Sequence, residues 1–216
     1  MKILMKALNR SSVMLRVLLF LMVFLSYEIL ASEANNVTEG MLDFSVIPVA
    51  SGSFVQRKYF KVLKQPIKSH GELHFDVNLG LLWQTNTPLY SALILKNNSV
   101  YSEDGHNPPK KLKGASNLSL MLLSILSGNR VQIDANFIVT NSEIQGCVML
   151  TPKQVQLSKV MQAIELCQKQ SNEDTELALN HIERIILREH SGNRTEIDVK
   201  LTAISALPET VRVRFN

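Results

Sequence analysis

The residues from Glu72 to Val77, ELHFDV, alternate without a slip: Leu73, Phe75 and Val77 point one way, and Glu72, His74 and Asp76 the other. A period of two belongs to a strand with one dry and one wet face, because successive side chains of an extended chain leave it on opposite sides. Strand character recurs along the chain. SFVQRKYFKVL (53–63), LLWQTNT (81–87), LYSALIL (89–95), NFIVTNS, IQGCVMLTP, SKVMQAIELC, HIERIILREH and RTEIDVKLTAI are short segments of strand-forming residues, and SGN at 191–193 marks a hairpin between the last two. About nine strands with mostly short connections predict an antiparallel meander.

One segment changes period. In SNLSLMLLSILSG (116–128), Leu118, Met121, Leu122 and Ile125 recur at helical spacing, Ser116 or Asn117 can cap the start, and Gly128 can close the end. Leu120, Leu123 and Leu126 widen its apolar surface beyond one stripe, so this helix must be covered on most sides. A shorter helix is expected at Val37–Phe44. The sum is an α+β chain, a curved antiparallel sheet covered on one face by helices. The polar stretches Ser102–Gly114 and 169–180 are expected as exposed connections.

The first thirty residues stand apart. Lys2, Lys6, Arg10 and Arg16 flank or precede the apolar run Val17–Ser26, and small residues follow at Ile29–Ala34. That order predicts a signal peptide over 1–31, cleaved after Ala31 or Ala34, with a single domain over 35–216. The apolar run is far short of the roughly 20 residues that span a bilayer. Four bases and one acid in residues 1–31 supply most of the formal charge of +4, leaving about +1 for the rest. Such a balance does not suit nucleic acid, whose phosphates demand a concentrated cationic face. The expectation is an exported, soluble monomer.

Export permits a disulfide between Cys147 and Cys167, the two cysteines of the chain. If 144–150 and 159–168 form a hairpin turning at Thr151–Ser158, Cys147 faces about position 162. Cys167 then lies on the order of 16 Å further along, well beyond the ~7 Å limit for a bridge. Two unbridged thiols are therefore expected.

The sequence offers little chemistry. His70, His74, His106, His181 and His190 are scattered without metal-ligand spacing, and His74 with Asp76 is explained by a solvated strand face. There is no nucleophile elbow, phosphate loop or zinc-protease helix, so neither an enzyme nor a cofactor or metal site is expected. The sequons at Asn36, Asn97, Asn117 and Asn193 read as chance. What remains is apolar surface: Phe54, Phe60, Leu73, Phe75, Val77, Leu81 and Trp83 on strands, with Leu118, Met121, Leu122 and Ile125 on the helix. These side chains suit either a packed core or the wall and lid of a space for a hydrophobic ligand.

The chain resembles the LolA family of periplasmic lipoprotein carriers. SFVQ at Ser53–Gln56, Gly71, Leu73, Trp83, Pro88, Ser91 and Leu93 carry the likeness, with looser matches in VMLTPK (148–153) and in the SGNRTEI hairpin from Ser191. The resemblance implies an incomplete antiparallel β-barrel with an α-helical lid over an apolar cavity. It implies Phe54, Phe60, Leu73, Phe75, Val77, Leu81, Trp83, Leu93 and Leu95 as cavity wall, and Leu118, Met121, Leu122 and Ile125 as lid. The ligand would be the acyl chain of a lipoprotein or lipid, taken from an inner-membrane donor complex and passed to an outer-membrane acceptor protein. A lipid-sensing module that binds a protein partner is the alternative. One departure stands out: the family places an arginine and a proline, the arginine a latch on the lid, where this chain has Val77 and Asn78.

Overall fold

The computed structural model describes residues 45–113, 116–168 and 182–216, with the side chains of 116–119 left out. The expected signal peptide, the helix at Val37–Phe44 and the insertion at 169–180 lie outside the described residues. Eleven strands form one sheet: β1 (Val49–Tyr59), β2 (Ile67–Asp76), β3 (Gly80–Thr87), β4 (Ser91–Lys96), β5 (Ser99–Glu103), β6 (Lys110–Leu112), β7 (Phe137–Asn141), β8 (Cys147–Pro152), β9 (Met161–Gln168), β10 (Ile182–Glu189) and β11 (Arg194–Ala203). Among the described residues four α-helices accompany them: α1 (Ser116–Leu126), α2 (Arg130–Asn136), and the single turns α3 (Val155–Ser158) and α4 (Glu209–Arg212), the last running into a 3-10 turn at Val213–Phe215.

The strands run in the order β6-β5-β4-β3-β2-β1-β11-β10-β9-β8-β7, every neighbouring pair antiparallel. Two meanders thus meet where the first strand pairs with the last. The sheet is curved and unclosed, the incomplete barrel that the resemblance implies. Helix α1 lies against β3, β4 and β5, and one apolar cluster runs from Val100 on β5 through α1 to Val148 and Leu150 on β8.

The concave face holds the main cluster, with Phe54, Leu73, Phe75, Leu81 and Leu95 from one meander, Ile164, Leu166, Ile185, Ile197 and Val199 from the other, and Met121, Ile125 and Leu126 between them. A smaller cluster on the convex face joins Val49, Leu82, Ala92 and Ile94 to Leu207 and Phe215 of the C-terminal segment. The apolar helix closes as its sequence predicts. Gly128 adopts φ 69°, its N–H donates to Ile125, and the Asn129 N–H donates to Ser124. Asn129 then caps α2, its side chain accepting from the Gln132 N–H at 3.1 Å.

Three expectations need correction. The strand count is eleven rather than nine, because β5 and β6 hide in polar sequence. The Asn97–Asn98 pair, both at positive φ, makes a two-residue turn between Lys96 and Ser99, and β6 is a short, lysine-bearing edge inside the stretch read as a loop. Helix α2 was not foreseen. Finally, Cys147 and Cys167 are bridged: they are direct register partners on β8 and β9, with Cα atoms 4.0 Å apart. The hairpin turns five residues further along in register than the sequence suggests. β8 runs on through Pro152, and Lys159 and Val160 belong to the connection rather than to β9.

Candidate functional site

The center of the concave face is built around a glycine. A Cβ at Gly71 would lie 2.7 Å from two ring carbons of Phe54 and 1.9 Å from the carbonyl oxygen of Gln84. Only glycine lets the Phe54 ring cross β2 and reach Trp83 on β3, where the ring centroids stand 4.6 Å apart at a tilt of 36°. Leu73 and Leu93 are the cross-strand neighbours of Trp83 on either side. The apolar group is graded in exposure. Phe54 and Leu73 are buried, Trp83 is half-buried, and Leu93 is 42 % exposed.

One rung away, α1 covers the sheet. Leu81 and Leu95 pair across β3 and β4 and, with Phe75, are buried in the same cluster as Met121 and Ile125 of the helix, while Leu122 is partly buried against it. The side chain of Leu118 lies outside the described residues. Val77 sits beyond the end of β2, in the turn to β3, and is 41 % exposed. With Leu79, Leu95, Leu120 and Leu123 it lines a pocket of about 270 Å3 between that turn, the Asn97–Asn98 turn and α1. The position that the resemblance assigns to an arginine latch thus opens on a pocket at the helix that Asn78, Lys96, Asn97 and Asn98 line as well. Phe60 lies just past the end of β1, half-buried, with the Lys58 ammonium 5.2 Å from its ring centre.

The concave parity carries the ion pair of Lys58 with Glu189 at its far end, and a part-buried carboxylate with two arginine partners stands on the other face. Asp198 on β11 accepts from Arg57 on β1 at 2.5 Å and from Arg184 on β10 at 2.6 Å. Burial alone would raise the Asp198 pKa, but the hydrogen bonds from Arg57 and Arg184 and their charges outweigh it and hold the carboxyl below its ordinary value. Glu72 and His74 share the convex parity of β2, and the His74 Nδ1 is 2.9 Å from the Ser51 hydroxyl. Among the described residues no group of three His, Cys, Asp or Glu side chains could hold a metal ion. The concave strands thus offer surface for an apolar ligand.

Sequence reasoning named the β1–β4 half of this wall and missed the other half. Ile197, Val199 and Leu201 alternate with Glu196, Asp198 and Lys200 as cleanly as ELHFDV does, and that alternation was the available signal.

No protein-family model matches the chain, and no curated protein matches it. Among solved structures, it is similar to a LolA superfamily protein from Nitrosomonas europaea, at 15 % identity and a TM-score of 0.46 over 84 % of this chain and 97 % of that one. A DUF1329 family protein from Desulfovibrio piger is similar at 9 % identity and a TM-score of 0.47, over 77 % of this chain and 90 % of that one. An outer membrane lipoprotein-sorting protein domain from Vibrio parahaemolyticus is similar at 10 % identity and a TM-score of 0.46, over 82 % and 94 %.

Proposed function

We propose that the protein is a periplasmic carrier that binds the acyl chain of a lipoprotein or lipid against its concave face and hands it between inner and outer membranes. It acts by binding and release, without chemistry on the cargo. The observation that carries this reading is the graded wall Phe54–Trp83–Leu93. It is continuous with the core under α1, yet leaves an aromatic ring half-buried and a leucine exposed on the same face. A wall of this kind gives an acyl chain a place to start, and lifting α1 extends it. The resemblance in the stretch from Gly71 to Asn97 points the same way.

The test uses Leu93, because a charge at the fully buried Leu73 would disrupt folding itself. Leu93→Asp leaves the exposed position free to hydrate, so its melting temperature should stay near that of the wild type. Its affinity for a fluorescent fatty acid should fall at least ten-fold, and lipid that co-purifies with the wild type in native mass spectrometry should be lost. Wild-type protein that carries no lipid and binds no acyl probe would overturn the proposal.

A further inference from the structure

The rim of the sheet opposite the Val77 pocket carries a second feature. The connection from β1 to β2 and the start of β2 read FKVLKQPIK, residues 60–68, with Lys61, Lys64 and Lys68 exposed and no acidic residue. Among the described residues none of these three lysines has an ion-pair partner. Between them stand apolar side chains that fold into nothing: Val62 is 88 % exposed, and Leu63 and Ile67 about half exposed. A hairpin tip that shows both features has two attractions for the same partner.

The register extends this rim. Tyr59 pairs with Arg194 and the Lys61 N–H donates to Asn193, which sets the β10–β11 turn beside the tip. His190 in turn contacts the Ser158 carbonyl oxygen at 2.8 Å, which brings up the connection around α3, where Val155 and Val160 are exposed beside Lys159. Exposed aliphatic side chains interleaved with lysines therefore project from neighbouring connections at one end of the sheet. Glu189 is the acid within this group, and it is held by Lys58 at 3.3 Å and by Ser191 and Asn193.

We infer that this rim docks on an anionic phospholipid surface, with Val62, Leu63 and Ile67 entering the headgroup layer and the lysines facing lipid phosphate. Unpaired cations complement the negative leaflet, and short aliphatic chains on a hairpin tip reach only the interface. An acidic protein would engage the lysines but would leave Val62 without an apolar partner. Docking at this rim is a property separate from acyl binding on the concave face, and each can fail without the other.

Flotation with vesicles of phosphatidylcholine containing about 30 % phosphatidylglycerol tests it on the full chain. Variants run beside the wild type, so that any contribution of the N-terminal apolar run is common to all. Each lysine near such a surface strengthens binding roughly five-fold at low salt, so the triple change Lys61→Gln, Lys64→Gln, Lys68→Gln should weaken it about 100-fold. Val62→Asp with Leu63→Asp should weaken it too while melting stays unchanged, since both side chains are exposed. Three results would overturn the inference: variants that bind like the wild type, equal binding to vesicles of phosphatidylcholine alone, or lysine-dependent binding to polyglutamate with none to vesicles.

Discussion

Reducing the bridge between Cys147 and Cys167 should cost about 3 kcal/mol of stability, and the magnitude follows from its place in the chain. The two cysteines are 20 residues apart in sequence and directly paired across β8 and β9. Closing a loop of that size removes about 11 cal/mol/K from the unfolded chain, which is about 3.3 kcal/mol at 25 °C. The strands around the bridge stay paired through Val148–Leu166, Met149–Glu165 and Leu150–Ile164, so reduction frees the unfolded state without emptying space in the folded one. For a chain of this size that difference should lower the melting temperature by roughly 6–12 °C. The assay is urea unfolding followed by far-UV circular dichroism, with and without dithiothreitol, because reduced wild type differs from oxidised only in the cross-link. The slope should change little and the midpoint should fall. A shift worth less than about 1 kcal/mol would refute the reasoning and show that strand pairing alone holds β8 to β9.

Gly71→Ala should destabilise the fold by about 1–3 kcal/mol or more, since the new methyl meets the Gln84 carbonyl oxygen at 1.9 Å and the Phe54 ring at 2.7 Å. The emission of Trp83, the single tryptophan, should shift as Phe54 is pushed from it; an unchanged spectrum and midpoint would count against this account of the wall. Asp198→Asn should cost about 1 kcal/mol at neutral pH, because both arginine partners are part-exposed. The folded pKa is depressed, so this contribution is complete above the unfolded value of about 4 and disappears as pH falls through the folded one. Wild type and variant should therefore converge in acid-unfolding titrations below about pH 4, and a constant gap would refute the assignment. Acyl length gives the last check. Lifting α1 uncovers Met121, Leu123, Ile125 and Leu126, at about 2 kcal/mol each, while each cargo methylene returns about 0.8 kcal/mol. Binding of straight-chain fatty acids in competition with a fluorescent probe should set in near ten carbons; equal affinity at six and sixteen would exclude a helix that lifts.

Much of this fold was legible because strand alternation and the apolar helix are signals that burial writes directly into sequence. ELHFDV became β2 with Leu73 and Phe75 fully buried, and SNLSLMLLSILSG became α1 with Gly128 at its close. What failed were features that depend on pairing rather than on the segment itself. β6 is three residues of an edge, Lys110–Leu112, and owes its conformation to hydrogen bonds from β5. The cysteine register was misread for the same reason: where β8 ends is decided by Phe137 of the preceding strand, β7, pairing with Pro152, and nothing within IQGCVMLTP records it.

The site shows the same division. Phe54, Leu73, Phe75, Leu81 and Leu95 could be assigned to one face by parity alone, but parity cannot grade exposure along that face. The difference between Leu95, buried under α1, and Leu93, two residues away and open, is set by where the helix stops covering the sheet. Val77 fell to a related limit. Its alternation with Phe75 continues past Asp76, the last strand residue, into a turn that the Val77 N–H fixes by donating to Pro48 at 2.9 Å. Parity then no longer assigns a face, and the side chain lines the pocket beside α1 instead. An arginine there could donate to helix carbonyls, whereas valine contributes apolar surface alone. Resistance to opening must then come from the apolar contacts of α1 itself. These weaken on cooling, as a hydrogen-bonded latch would not.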